Sequence, residues 1–247
     1  MSTIDTMPLE NKTYLVTGVK SGLGKFLYEN LPGALGLSRD NKYEILQEAT
    51  NTENLVILHA AFNSKRNIED YSGYIEDNIF LTEDLLHLSS DKFVYFSSVD
   101  VYGPFTSYSF MKKCAEDFVK KRASSALILR LSAILGPTAR QNSLIRLMEE
   151  KELTLHSESI FNYVLQNDIL DAITNDEVLA RVGTYNFTAS ENVKLQEIAE
   201  HYNKNVKFGH YTYETTINDL VEVENLYPYP ERTSRDVVEL FLRKYYE

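Results

Sequence analysis

Thr13-Tyr-Leu-Val-Thr17-Gly18-Val-Lys-Ser-Gly22-Leu-Gly24 is the stretch on which the reading of this chain turns. Its first five residues are β-branched, aromatic or apolar and run directly into glycine, the pattern of a buried strand. Lys25–Leu31 continues as a helix that Pro32-Gly33 stops. A glycine-rich turn between strand and helix is a geometry that can receive a dinucleotide. The first glycine allows the tight turn, the next lets backbone approach a pyrophosphate, and the last lets the helix close on the strand. N–H groups at the helix N-terminus then hold the phosphates. On these residues alone, a turn of the same composition without a ligand is the alternative. Gly24-Lys25 is followed by Phe26, so the loop lacks the Gly-Lys-Ser/Thr of a nucleoside-triphosphate loop. The candidate binding residues here are Gly18, Lys20, Ser21, Gly22, Leu23 and Gly24.

Outward from this loop, the pattern alternates. Ala34–Leu37 reads as a second strand and Asn54–His59 as a third, the latter almost wholly apolar as expected with both faces covered. Tyr74–Leu88 carries Ile75, Ile79, Leu81, Leu85 and Leu86 at helical spacing. Lys92–Phe96 is again a strand. Phe110–Lys121 is helical, with Phe110, Cys114 and Phe118 four apart, and Ala126–Ile134 is another buried strand. Strands alternating with helices predict a parallel sheet with right-handed crossovers, an α/β, Rossmann-type doubly wound fold. Beyond Gly136-Pro137 the alternation loosens. Residues 1–136 are expected to form the cofactor-binding part and residues 137–247 a small C-terminal substrate lobe packed against it.

The 247 residues suit one large or two small domains, and 43% apolar content is ample for a core. A net charge of −11 argues against a nucleic-acid or anionic-membrane surface, so a phosphate-bearing ligand needs a local site. The single cysteine, Cys114, excludes an internal disulfide framework. No His/Cys/Asp spacing suggests a metal. No apolar run is long enough to span a membrane. The polar, acidic start Met1–Glu10 is unlike a signal peptide, which leaves a cytoplasmic protein as the expectation. His87, His201 and His210 show no partner in the pattern. The tyrosines of the tail, Tyr211, Tyr213, Tyr227 and Tyr229, are expected on a packing surface.

Further segments follow in a telling order. Gly18-x3-Gly22-x-Gly24 is succeeded by His59-Ala60-Ala61, by Asn78 in the next helix, by Phe96-Ser97-Ser98-Val-Asp100-Val-Tyr102-Gly103, and by Tyr108-x3-Lys112. With 17 tyrosines in the chain, a lone Tyr-x3-Lys is about what composition alone supplies. Its weight comes from its place, opening a helix after a strand that ends in Ser-Ser. Together these segments resemble the extended short-chain dehydrogenase/reductase superfamily, in its NAD-dependent epimerase/dehydratase, sugar-nucleotide-modifying branch. The resemblance continues through Leu129-Arg130 to Gly136-Pro137, Asn162 to Ile173 including Asp168, and Thr184 to Glu200.

The resemblance implies an enzyme that oxidises, reduces, epimerises or dehydrates a sugar, usually nucleotide-linked, through a ketone. Ser98, Tyr108 and Lys112 would be catalytic. Tyr108 and Lys112 lie one turn apart on one helix face, so the ammonium is expected to lower a phenol pKa that is ordinarily about 10. Lys112 would also bond the nicotinamide ribose, and Ser98 the substrate oxygen. His59, Ala60, Ala61 and Asn78 would belong to the cofactor floor. Asp100 falls where dehydratases of the branch carry a glutamate base. It either takes a proton or caps a turn, and capping is the expected role. Ser38-Arg39, after the second strand, resembles members that use NADP. NAD stays the alternative, because Asp40 lies one residue from the place of a ribose-binding acid.

Three positions depart from the pattern. Only Gly103–Ser107 separates Tyr102 from Tyr108, where the branch has a long loop. Ala133 replaces an asparagine, and Phe161 an arginine that clamps the substrate pyrophosphate. Neither can make the contact it replaces. Arg140, Asn142, Arg146 and His156 lie near in sequence. Asp100 and Arg140 are the substrate candidates. Two other functions stay open, a cofactor-sensing regulator without catalysis and a reductase of a ketone bearing no nucleotide. The branch also implies a homodimer through the helix that carries Tyr108.

Overall fold

The computed structural model describes residues 12–64, 69–217, 223–226 and 232–246. Tyr227 and Tyr229 lie outside these. From the N-terminus come β1 (Thr13–Thr17), α1 (Gly22–Asn30), β2 (Leu35–Leu37), α2 (Lys42–Thr50), β3 (Leu55–His59) and α3 (Tyr71–Ile75). A π-helical turn (Glu76–Phe80) leads into α4 (Leu81–Leu86), followed by β4 (Lys92–Ser98), a 3₁₀ turn (Val99–Tyr102), α5 (Ser107–Arg122) and β5 (Ala126–Leu131). The remainder comprises β6 (Ala133–Leu135), α6 (Ser143–Met148), β7 (Ile160–Phe161), β8 (Tyr163–Leu165), α7 (Gln166–Thr174), α8 (Asp176–Leu179), β9 (Gly183–Phe187), β10 (Val193–Lys194), α9 (Leu195–His201) and α10 (Ser234–Tyr245).

Six strands form one sheet in the order β2-β1-β3-β4-β5-β9, every pair parallel. The chain moves outward from β1 to β2, then crosses back to β3. The crevice past the C-terminal ends of β1 and β3 is therefore where a doubly wound sheet takes its ligand. Alternate residues of each strand serve opposite faces. Val16, Leu58, Phe96 and Leu129 pack beneath α1 and α7 with Phe26, Leu27, Ile169 and Ile173. Leu15, Ile57, Tyr95 and Ile128 pack beneath α4 and α5 with Leu85, Ala115 and Val119. Burial on both faces is why β3 and β4 read as unbroken apolar runs. A further core lies among α6, α9 and α10, around Leu144, Leu147, Leu195, Ile198, Val237 and Phe241.

Gly24 shows why the loop needs its last glycine. A Cβ there would lie 2.4 Å from the Thr17 carbonyl oxygen and 2.5 Å from that of Gly18. Both are backbone atoms that cannot yield, so only glycine lets α1 close on β1. The helix consequently begins at Gly22, earlier than the Lys25 start read from its apolar residues.

Two further differences have physical causes. α2 was not anticipated, because Ile45, Leu46 and Ala49 are its few core-facing residues and Tyr43 is exposed. The run Ala126–Ile134 is two strands. It breaks at Ser132, where the chain leaves β9 and the main sheet and pairs β6 with β8.

Candidate active site

A groove and a cleft adjoin at the C-terminal end of the sheet. The groove, about 410 Å³, runs from Ser38 and Arg39 past Gly18 to Ala60 and Ala61. The cleft, about 470 Å³, contains Ser98, Asp100, Tyr108, Lys112 and Tyr213. Both are lined by Ser21, Ala60, Phe62, Ser64 and Arg140, so they meet over the glycine loop.

The groove fits a dinucleotide on its own geometry. Gly18 has φ of 76°, and a Cβ there would sit 3.0 Å from the Ala61 backbone. A side chain would fill the space a pyrophosphate needs. Ser21 holds the cap position of α1 with extended backbone, but no side chain caps that helix. Its first-turn N–H groups therefore face the groove uncapped, the arrangement that receives phosphate.

His59 and Asn78 lie beneath this floor and hold it from below. The Thr17 hydroxyl oxygen accepts from the Ala60 and Ala61 N–H groups at 3.1 and 2.8 Å. Its proton is then directed to His59 Nδ1 at 2.9 Å, and the Nε2–H donates to Thr82 Oγ1 at 2.9 Å. Thr82 in turn donates to the Asn78 carbonyl. The chain of bonds is satisfied only by neutral histidine, and burial with the Lys112 charge pushes its pKa down to about 3. The Asn78 side chain sits in the π-helical turn and pairs with the Asn63 backbone, accepting at 2.7 Å and donating at 3.1 Å. Lys20 pairs with Asp40 at the surface.

Arg39 is engaged as well. Its Nε donates to Asp77 Oδ1 at 2.9 Å, and Nη2 to the other carboxylate oxygen. Ser38 donates through both backbone and hydroxyl to Asn41 Oδ1.

In the cleft, α5 carries Tyr108 and Lys112. Thr106 and Ser109 form a reciprocal cap that starts this helix just before Tyr108. Ser98 ends β4, caps the 3₁₀ turn by accepting from the Asp100 N–H at 3.2 Å, and hydrogen-bonds Tyr108. The turn-capping role expected of Asp100 therefore belongs to Ser98. Asp100 Oδ1 instead accepts from the Tyr213 hydroxyl at 2.6 Å. Tyr213 is the site residue that the sequence reading placed on a packing surface. It reaches the cleft because its strand-like segment bonds Ile160, and its ring packs on Phe161 at 4.7 Å. Phe161 also stacks on Tyr163.

The electrostatics differ from the simple expectation. Lys112 is buried and donates to the Phe96 carbonyl at 2.7 Å, with the Phe62 ring 4.2 Å from its ammonium. Burial, partly offset by Glu116, pushes its pKa down to about 7. Tyr108 is not lowered. Burial, reinforced by the Asp100 charge, holds its phenol well above the ordinary value, and the bond from Ser98 pulls the other way.

Lys112 thus imposes a pH-dependent load on folding. Below about pH 7 it is charged in both states and the full desolvation penalty is felt. As pH rises toward the ordinary value of 10.5, only the unfolded chain stays protonated and the penalty fades. Stability should therefore rise across this window in the ligand-free protein. Lys112→Met should flatten that rise, as read from urea midpoints near either end.

The fold matches that of known proteins. Among curated protein sequences none matches. Among solved structures, the Helicobacter pylori ADP-L-glycero-D-manno-heptose-6-epimerase superposes with a TM-score of 0.74 at 19% identity, over 100% of this chain and 99% of the other. The Bacillus cereus UDP-glucuronic acid 4-epimerase, solved with UDP-glucuronic acid and NAD, gives 0.66 at 17% identity over 93% and 100%. The Thermus thermophilus UDP-glucose 4-epimerase, solved with NAD, gives 0.63 at 16% over 93% and 98%. These likenesses establish the fold. No described helix is long and apolar enough to cross a membrane, and no metal-binding group of three His, Cys, Asp or Glu occurs among the described residues. A family model matches residues 9–167, a span that includes every strand of the main sheet except β9 together with Ser98, Asp100, Tyr108 and Lys112, so the chain belongs to the NAD dependent epimerase/dehydratase family of enzymes.

Proposed function

We propose that the chain epimerises, dehydrates or reduces a sugar, nucleotide-linked, through a keto intermediate. The observation that carries this is the meeting of Ser98, Tyr108 and Lys112 in one cleft that opens into the glycine-loop groove. Residues 1–136 would supply the cofactor site and the reactive groups, and residues 137–247 the substrate lobe.

Bound NAD(P)⁺ supplies a hydride acceptor and a positive charge beside the phenol. Tyr108 takes the proton of the substrate hydroxyl as it becomes a carbonyl and returns it in the reverse step. Ser98 donates a hydrogen bond to that oxygen. Lys112, anchored on the Phe96 carbonyl, bonds the ribose and holds the cofactor's orientation. Asp100, which accepts from the Tyr213 hydroxyl, is proposed to take a second proton. The test is a panel of nucleotide sugars with cofactor absorbance and product analysis. Turnover of none of them would overturn the reading.

A second reading, reduction of a ketone without a nucleotide, is favoured by Ala133 and Phe161. Ala133 lines the cleft and Phe161 is stacked among tyrosines, so neither offers a charged donor to a diphosphate.

The cofactor is proposed to be NADP, with Arg39 at the far end of the groove receiving the 2′-phosphate. That phosphate and Asp77 would compete for one guanidinium. Arg39→Ala should then weaken NADP⁺ about tenfold or more while changing NAD⁺ little. Asp77→Asn should strengthen NADP⁺. Equal effects on both cofactors in a binding titration would remove the preference. The protein is further proposed to act in the cytoplasm as a homodimer through α5, near whose start the Phe105 and Phe110 rings meet at 5.5 Å, tilted to each other, and remain exposed.

A further inference from the structure

Arg140 is a substrate candidate in the sequence, and in the structure it stands where the cleft and the groove meet. We propose that Arg140, reaching back from the loop after β6, is a clamp for the cofactor diphosphate, an inference that rests on the dinucleotide reading above. Its Nη2 donates to Ser21 Oγ at 2.9 Å and its Nη1 to Ser64 Oγ at 3.4 Å. Its Nε lies beside Gly22, 3.9 Å from where a Cβ on that residue would stand. Ser21 and Ser64 line both the groove and the cleft, Gly22 opens the helix after the glycine loop, and the hydrogen bonds of Arg140 go to the two serines rather than to Ser98, Tyr108 or Asp100.

The loop that carries Arg140 is held in place. Thr138 donates its hydroxyl to the Gly22 carbonyl at 2.7 Å, and its backbone N–H donates to buried Gln166 at 3.2 Å. Gln166 donates back to Thr138 Oγ1 at 2.9 Å. The arginine is therefore aimed by structure on both sides.

Among the described residues Arg140 meets two serine hydroxyls and no carboxylate, although the chain carries a net charge of −11. Beside it lies the uncapped, positive end of α1. Two positive groups converging on one point repel unless an anion stands between them. The serine that would ordinarily cap α1 instead accepts from Arg140, which leaves the first-turn N–H groups for that anion. A guanidinium offers two parallel donors, the match for two oxygens of a diphosphate.

The experiment is calorimetric titration of wild type, Arg140→Ala and Arg140→Lys with ADP-ribose and with AMP. ADP-ribose carries the diphosphate; AMP has one phosphate at the adenosine end. Arg140→Ala should weaken ADP-ribose about 10- to 100-fold and AMP by much less. It should also flatten the salt dependence of ADP-ribose binding. Arg140→Lys should recover part of the loss. An unchanged ADP-ribose affinity, or an equal loss for both probes, would overturn the clamp. Wild type that binds neither probe would overturn the dinucleotide reading itself.

Discussion

Tyr108→Phe should bind cofactor as the wild type does and turn over its substrate about 10²- to 10⁴-fold more slowly. The substitution removes one hydroxyl and keeps the ring, whose edge-to-face contact with Phe62 at 5.0 Å holds that wall of the cleft. The lost group is the proposed acid/base, so the effect falls on kcat and leaves cofactor affinity alone. The neighbourhood supplies a second check. Asp100 raises the Tyr108 pKa through its charge, so Asp100→Asn should bring the Tyr108-dependent limb of the pH–rate profile to lower pH. Turnover of Tyr108→Phe within a factor of about three of wild type would remove Tyr108 from the chemistry.

Glu116→Ala should cost about 3–5 kcal/mol of folding stability, the effect of uncovering one charge of a buried pair. Glu116 lies on the Tyr108–Lys112 face of α5, one turn past Lys112. Its carboxylate accepts from Arg130 Nε at 3.0 Å, from Arg130 Nη2 at 2.7 Å and from Ser97 at 2.6 Å. Arg130 is left against the Tyr102 ring, 4.8 Å from its guanidinium carbon, with no carboxylate once Glu116 is truncated. Lys120 also reaches Glu116 but is largely exposed and contributes little. The bonds from Arg130 and Ser97 outweigh burial and hold the Glu116 pKa below its ordinary value. The pair therefore stabilises fully above the unfolded carboxylate's titration and is lost as pH falls through the lower folded value. Denaturant midpoints check the magnitude. A double Glu116→Leu, Arg130→Met variant should recover most of the loss, since removing both charges leaves no orphan. A single variant as stable as wild type would show the pair to be idle.

Glu116 also illustrates what could not be read beforehand. In sequence it is the single glutamate of a lysine-rich helix, and its partner Arg130 lies on a strand, β5. The glycine loop is different. Its strand, turn and helix are consecutive, and the clash that demands Gly24 is with Thr17 and Gly18, residues of the same segment. Local geometry was enough there. Asp100 stands between the two cases. Its place next to Ser98 was legible, but the hydroxyl that claims its carboxylate belongs to Tyr213, 113 residues away.

By itself the sequence determined the alternating α/β order, the glycine loop and the one-turn spacing of Tyr108 and Lys112. Each of these is a periodicity or a backbone requirement within a few residues, and such signals survive in a linear string. Only the tertiary structure decided that Arg140 meets Ser21 across 119 positions, that Tyr213 enters the cleft, and that Phe96's carbonyl holds Lys112. Those contacts depend on where distant segments come to rest on the sheet, and on burial, which moves the Lys112 and Tyr108 pKa values away from their ordinary ones in opposite directions.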